Sequence, residues 1–192
     1  MLGLDRESVE LVSHHDAWRE AFGTEADRLH DAVGDRIRAV EHIGSTAIPG
    51  VPAKPVLDLL VTVPTDHERD DRTEGAPTGR LADLAAARTL HPDLERLGYE
   101  PRETDVPGRT FLVRGPPTAR THYLSVAPHR GTFHREKVAF RDYLRDEPDV
   151  AAEYATLKRE LAQTADDRDA YTDGKSQFVA RVLENALPEY AP

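Results

Sequence analysis

The hydrophobic pattern at the start of the chain switches from strand-like to helix-like spacing and back. Apolar and polar side chains alternate over residues 8–13, which predicts a short strand. Apolar residues then recur at near-helical spacing from Trp18 onward, with Asp16 as the predicted N-cap and Gly34 as the stop. Residues 36–43 return to a strand-like pattern. The chain is therefore predicted to begin with a strand, a helix and a second strand.

The remainder of the chain has strand-like runs in the middle and helical runs at the end. The strand-like runs occur at residues 56–63, 99–103, 110–114 and 122–127. Helical spacing covers residues 81–97, with a break near Pro92, and returns over residues 134–187. Residues 64–80 contain almost no apolar side chain and predict an exposed loop or insertion. This order predicts an α+β fold in one domain, residues 1–192, with a mixed β-sheet covered by helices and a helical C-terminal part.

The composition of the chain limits which partners and which cellular compartment we expect. Acidic residues outnumber basic ones, 35 to 25, for a net charge of −10. General nucleic-acid binding is therefore not expected, because it depends on a surplus of Lys and Arg. The chain has no cysteine and no window of ~18 apolar residues, so we expect a soluble cytoplasmic protein with no membrane partner. Only four of the 25 basic residues are lysines, a bias that by itself says nothing about function.

The most informative segment of the chain is residues 42–58, which read HIGSTAIPGVPAKPVLD. The Gly44-Ser45 pair follows an apolar run, and such a turn can present backbone N–H groups and a hydroxyl to a phosphate. Asp58 lies in the next apolar run, where a strand carboxylate can hold Mg²⁺ between the protein and a phosphorylated ligand. From the residues alone, a plain tight turn and a structural carboxylate remain the alternatives.

The same segment resembles the signature block of the GrpB family, which runs roughly HIGSTSVPGLAAKPIID. Later blocks of that family match in order at residues 97–99, 109–112, 122–124, 140–145, 154–158 and 171–175. The resemblance implies a nucleotidyltransferase-like fold, because the family is similar to that superfamily. It also implies a link to coenzyme A biosynthesis, because a related domain is fused to dephospho-CoA kinase in some organisms, with a proposed folding-accessory role.

The resemblance to nucleotidyltransferases implies a metal site built from three carboxylates, and the sequence departs from that pattern. Active members of the superfamily use Asp-x-(Asp/Glu) and a third carboxylate on a later strand. Here Leu60 stands in the second position and Ser125 in the third, so Asp58 alone remains. Two-metal phosphoryl transfer requires several anionic oxygens. The sequence therefore predicts either a substitute set of residues or a site that binds its ligand without turnover.

Candidate site residues fall into three groups. The predicted catalytic residues are Asp58 and His122. The predicted ligand-binding residues are Gly44, Ser45, Thr46, Lys54 and Arg109. The predicted metal ligands are Asp58 and His42, with Mg²⁺ as the expected ion. For Lys137 and Arg141, the alternatives are an anion-binding role and a place on a solvated helix face. For Lys175, they are an anion-binding role and a place at the start of a helix.

Three functions are compatible with this pattern. The first is binding of a nucleotide or another phosphorylated ligand at the Gly-Ser turn, with nucleotidyl transfer if the site is active. The second is a non-enzymatic accessory module that docks on a protein partner, a coenzyme A biosynthetic enzyme in particular. The third is a single-metal hydrolase, which requires that His42, His122 and Asp58 meet at one ion.

Overall fold

The computed structural model describes residues 2–65 and 80–192. Its helices are α1 (Ala17–Val33), α2 (Arg80–Thr89), α3 (His91–Arg96), α4 (Thr132–Asp146), α5 (Pro148–Thr164), α6 (Arg168–Asp173) and α7 (Ser176–Tyr190). Its strands are β1 (Ala39–Ile43), β2 (Leu57–Val63), β3 (Glu100–Arg102), β4 (Thr110–Arg114) and β5 (His122–Pro128). Among the described residues, no helix is both long enough and apolar enough to cross a membrane.

The described strands form one mixed sheet in the order β1-β2-β5-β4-β3. The strands β2 and β5 run parallel, and all other neighbours are antiparallel. In the parallel pair, Leu57 lies opposite His122 and Asp58 lies opposite Tyr123. Successive side chains of a strand point to opposite faces of the sheet. Asp58 and His122 therefore belong to opposite faces.

Each face of the sheet packs against a different set of helices. Leu59 and its neighbours on the first face pack against α1, α2 and α3 in the main core. On the other face, Leu60 packs with Phe133 of α4. The helices α4, α5 and α7 form a second core that includes Ile48 and Val51. The loop that carries Ile48 and Val51 is thereby held against the C-terminal helices. Because the Gly-Ser turn is the start of this loop, the packing also fixes the turn.

The predicted α+β class, with a mixed sheet, covering helices and a helical C-terminal part, is confirmed, and two local predictions are wrong. Residues 8–13 are not a strand, because Val12 makes only an isolated bridge with Ala53. Pro52 and Pro55 lie on either side of that bridge and lack the N–H donors that would extend it. The strand β1 is shorter than predicted, because a 3₁₀ turn covers part of its expected start. The predicted loop at 64–80 lies almost wholly outside the described residues.

Candidate anion-binding site

The Gly-Ser turn lies directly against Asp58. Gly44 has a φ of +69°, and a Cβ built on it would lie 2.5 Å from Oδ2 of Asp58. Only glycine permits both the positive φ and this close approach of the backbone to the carboxylate. The residue before the turn, Ile43, pairs with Asp58 across β1 and β2. The structure therefore brings Gly44, Ser45 and Asp58 together.

A cavity of about 240 Å³ lies beside this turn, and we call it the lysine pocket. The segment at 42–58 contributes Ser45, Thr46, Lys54 and Asp58 to its wall. The C-terminal helical part contributes Lys158, Arg168 and Lys175. Asp58 is the only acidic side chain among the described residues that line the pocket. The lining is therefore strongly cationic, although the whole protein is acidic.

All four lysines of the chain act on this site. Three of them, Lys54, Lys158 and Lys175, line the pocket, and Lys137 of α4 interacts electrostatically with Asp58. Burial lowers the pKa of Lys158 to about 7 and that of Lys175 to about 8. The same effect lowers the pKa of Lys54 and of Lys137. Desolvation and repulsion from neighbouring cations therefore both act against the charged amines.

Backbone and aromatic contacts hold the lysine side chains in place. The ammonium of Lys158 donates a hydrogen bond to the carbonyl of Pro52, which ties α5 to the loop after the Gly-Ser turn. The ring of Tyr171 attracts two other ammonium groups, because an aromatic face is electronegative. Its centroid is 4.9 Å from Nζ of Lys54 and 4.3 Å from Nζ of Lys175. The cationic wall is thus positioned by groups that carry no net charge.

Two opposing effects act on the Asp58 carboxyl group. Burial is the larger effect and raises its pKa to about 6. The surrounding cations act in the opposite direction, in decreasing order Lys137, Arg109, Lys175 and Lys158. Asp58 therefore remains anionic at neutral pH and partly compensates the charge of the lysines.

Arg109 is held beside Ser125 on the same side of the sheet as Asp58. Its Nη1 donates to Oγ of Ser125 at 2.8 Å, and its Nη2 donates to Oγ1 of Thr104 at 3.3 Å. The guanidinium carbon lies 4.4 Å from the ring centroid of Phe111. Within the described part of the chain, Nε of Arg109 is buried and has no hydrogen-bond partner. Ser125 is thus engaged by a cation at the position where the nucleotidyltransferase pattern has a carboxylate.

Comparison with known proteins places the chain among relatives. The sequence profile of the family described as GrpB protein matches residues 8–76 and 79–185. The chain belongs to the GrpB family. The glutamate-rich protein GrpB of Alkalihalophilus pseudofirmus is 32% identical over 184 residues, which are 95% of this chain and 98% of the relative. A crystal structure of the conserved protein GrpB from Enterococcus faecalis superposes with a TM-score of 0.76 at 33% identity, over 94% of this chain and 98% of that one.

These comparisons support both the family and the fold inferred from residues 42–58. The α+β class with a mixed sheet covered by helices is the fold of this GrpB-family chain. A further relative is a longer protein, the dephospho-CoA kinase of Mycolicibacterium paratuberculosis. It is 32% identical to 90% of this chain, which spans only 44% of the length of that protein.

In this GrpB-family protein His122 does not join Asp58. It lies on the opposite face of the sheet, where Nη2 of Arg114 donates to its Nε2 at 2.8 Å. Arg114 is in turn paired with the buried Glu25 at 2.7 Å. Burial lowers the pKa of His122 to about 4. The predicted pairing of His122 with Asp58 as catalytic residues is therefore wrong, because the two positions are one residue out of phase on paired strands.

His42 is also separated from Asp58 by strand alternation. It pairs with Leu59, the neighbour of Asp58, and its ring stacks on Phe22 with centroids 4.8 Å apart. The Nε2 atom of His42 is 2.9 Å from Oγ1 of Thr46, which is a hydrogen-bond distance. The predicted metal pair of Asp58 and His42 is therefore wrong. The single-metal hydrolase, which needs both histidines at Asp58, fails for the same reason.

The residues of this site do not fit the two-metal centre of the nucleotidyltransferase pattern. The described part of the chain contains no group of three or more His, Asp or Glu side chains that could hold a metal ion. Leu60 is buried in a small apolar cluster with Phe133, and Ser125 accepts a hydrogen bond from Arg109. The Mg²⁺ assignment stays a prediction, and one carboxylate among several cations gives it little support.

The structure resolves the alternatives left open for three basic residues. Lys175 is the N-cap residue of α7, as the helix-entry alternative predicts, and it also lines the lysine pocket. Lys137 is half-buried, acts electrostatically on Asp58, and has its Nζ 5.3 Å from the ring centroid of Phe133. Arg141 is buried away from the lysine pocket, where it pairs with Glu41 and Asp142 at 2.7 Å. An anion groove formed by Lys137 and Arg141 together is therefore wrong.

Among the described residues that line the pocket, seven are absent from the sequence-based candidates: Ala53, Val56, Tyr123, Lys158, Arg168, Tyr171 and Thr172. A signal for Lys158 was present in the composition. Arginine fills 21 of the 25 basic positions, so the four lysines stand out in the composition, although only the structure shows that Lys158 shares a pocket with two of the others. Tyr123 and Tyr171 lie in the blocks at 122–124 and 171–175 that match the GrpB family, whereas Arg168 lies outside the matching blocks.

Proposed function

We propose that the lysine pocket binds the phosphate groups of a nucleotide or of another phosphorylated small molecule. The observation that carries the proposal is that three of the four lysines line one pocket and the fourth, Lys137, acts electrostatically on the Asp58 of that pocket. A lysine ammonium is a compact point charge with three donors and commonly binds phosphate oxygens. Ser45 and Thr46 of the Gly-Ser turn line the same pocket, and a turn of this kind can offer backbone N–H groups and a hydroxyl to a phosphate.

The charge balance of the lysine pocket favours a ligand with more than one negative charge. Without a ligand, neighbouring lysines lower the pKa of one another, and Asp58 is the only carboxylate among the described lining residues that offsets them. A phosphate ester or a diphosphate compensates several ammonium groups at once, whereas a monocarboxylate compensates one. The arrangement therefore supports phosphate more strongly than a simple carboxylate.

The size of the lysine pocket indicates how much of the ligand it holds. Its volume of about 240 Å³ is below the roughly 300–1,000 Å³ typical of sites that enclose a drug-sized ligand. The pocket therefore suits the phosphate groups, with the remainder of the ligand at its mouth. Nucleotidyl transfer is not part of the proposal, because Leu60 and Ser125 stand where the nucleotidyltransferase pattern has its other carboxylates.

A thermal-shift titration tests the proposal. The probes are pyrophosphate, ATP and dephospho-CoA, and the variants are Lys175→Met and Arg181→Met. Arg181 is the matched control, because it is a similarly long cation on α7 whose exposed partner is Glu153. A ligand at 100 times its Kd adds about 2.7 kcal/mol to stability, which at about 2–4 °C per kcal/mol raises the melting temperature by about 5–10 °C.

The expected result is a shift in wild type and Arg181→Met that is much smaller in Lys175→Met. The absence of a shift with all three probes would contradict phosphate binding. An equal shift in both variants would place the bound anion elsewhere on the protein.

A second candidate function is an accessory module that binds a coenzyme A biosynthetic enzyme. The match to 44% of a dephospho-CoA kinase favours it, because that relative carries a similar segment within a longer chain. The test is co-elution of this chain with the separately purified dephospho-CoA kinase of the same organism. Separate elution at concentrations well above those in the cell would count against it.

A further inference from the structure

We infer that the lysine pocket takes metal-free phosphate groups, with its lysines and Arg109 supplying the positive charge that Mg²⁺ supplies in nucleotidyltransferases. This inference rests on the proposed function and specifies the form in which the ligand binds. It means that the ligand enters as a free polyanion rather than as a magnesium complex.

The first step of the argument is the field at Asp58. Four cationic side chains act on this single carboxylate: Lys137, Arg109, Lys175 and Lys158. A divalent cation placed at Asp58 would be repelled by all of them, and the attraction of one carboxylate does not offset that repulsion. Mg²⁺ in proteins is usually held by carboxylates together with substrate phosphates. The surroundings of Asp58 are therefore suited to an anion and unsuited to a second positive group.

The second step is the position of Arg109. Ser125, the residue in the third-carboxylate position, accepts a hydrogen bond from Nη1 of Arg109 at 2.8 Å. The guanidinium is further fixed between the rings of Phe111 and Phe133, with its central carbon 4.4 and 5.1 Å from their centroids. Its buried Nε–H lacks an acceptor within the described part of the chain. Arg109 is not among the described residues that line the lysine pocket, so it contributes positive charge beside Asp58 and not a direct contact to the ligand.

The third step concerns what Asp58 does without a metal. Its carboxylate lies against the Gly-Ser turn and partly compensates the lysines in the ligand-free protein. A phosphate group that enters the lysine pocket competes with Asp58 for the same cations and is repelled by it. Asp58 therefore weakens phosphate binding in this arrangement, whereas a metal-holding aspartate would strengthen it. The two arrangements predict opposite effects of removing the Asp58 charge.

Calorimetric titration with pyrophosphate distinguishes the metal-free arrangement from one in which Asp58 holds a metal ion. Wild type, Asp58→Asn and Asp27→Asn are each titrated in excess EDTA and in excess MgCl₂. The Asp27→Asn variant is the matched control, because Asp27 is an exposed aspartate on α1, across the sheet from the lysine pocket. We expect wild type to bind pyrophosphate in EDTA. We expect Asp58→Asn to bind it about tenfold tighter, the ratio produced by removing about 1.4 kcal/mol of repulsion, and Asp27→Asn to match wild type.

The remaining outcomes distinguish this inference from the proposed function. Binding in MgCl₂ but not in EDTA would overturn the metal-free inference and leave phosphate binding standing. A folded Asp58→Asn variant that binds more weakly than wild type would also overturn it. The absence of heat in every titration would overturn the proposed function together with the inference. If Asp58→Asn does not fold, the wild-type comparison of EDTA with MgCl₂ decides alone.

Discussion

Replacing Gly44 by alanine tests whether the Gly-Ser turn depends on close contact with Asp58. Gly44 has φ +69° and ψ −173°, a region open almost only to glycine. A Cβ there would lie 2.5 Å from Oδ2 of Asp58 and 2.9 Å from its Cβ and Cγ. The new methyl group therefore meets the base of the Asp58 side chain, which belongs to a strand that is paired on both sides and cannot retreat.

The expected destabilisation has two parts. The backbone conformation costs about 1–3 kcal/mol for a residue with a side chain. Forcing a methyl group into a packed contact costs about 1–3 kcal/mol more. Together they predict that Gly44→Ala lowers the free energy of unfolding by about 2–6 kcal/mol, a large part of the roughly 5–15 kcal/mol typical of a domain.

The control is Gly50→Ala in the same loop. Gly50 also has a positive φ, +76°, but a Cβ there would meet no atom within 4 Å. This variant carries only the backbone cost of about 1–2 kcal/mol. Urea denaturation of the three proteins measures both differences. If Gly44→Ala were no less stable than Gly50→Ala, the contact between the turn and Asp58 would not have the energetic role that we give it.

Two further predictions concern buried charges away from the lysine pocket. Burial lowers the pKa of three histidines from the ordinary 6.5 to about 4: His42, His122 and His134. Between pH 4 and pH 6.5 the unfolded state therefore binds more protons than the native state, so the free energy of unfolding should fall as the pH drops through this range. Asp58 has a raised pKa and opposes this trend, but it is one group against three. Urea denaturation across this window checks the sign, and a flat or rising free energy would contradict it. The second prediction compares two glutamates paired with arginine at the same 2.7 Å: Glu25→Gln, which leaves Arg114 buried without its counter-charge, should cost about 3–5 kcal/mol. The exposed Glu153→Gln should cost below about 1 kcal/mol, and equal losses in the two variants would refute the role of burial.

The sequence alone was sufficient for the elements whose signals are local. Helix α1 ends at Gly34 as predicted, and Pro92 lies at the start of α3, where a residue without an N–H donor is tolerated. The block at 42–58 predicted a strand, a tight turn and a buried strand, and each is present. The strand predicted at 8–13 failed, because its existence depended on a partner, and that partner is rich in proline.

Only the tertiary structure decided which residues share the site. The strands β2 and β5 are buried on both faces, so no alternation of apolar and polar residues shows which face His122 or Asp58 occupies. The register of the parallel pair settles that question, and a shift of one residue would reverse it. The four lysines are scattered from position 54 to position 175, and no local pattern links them. Three of them, Lys54, Lys158 and Lys175, meet because the C-terminal helices pack on the loop that follows the Gly-Ser turn, and such long-range packing depends on contacts that no single segment encodes.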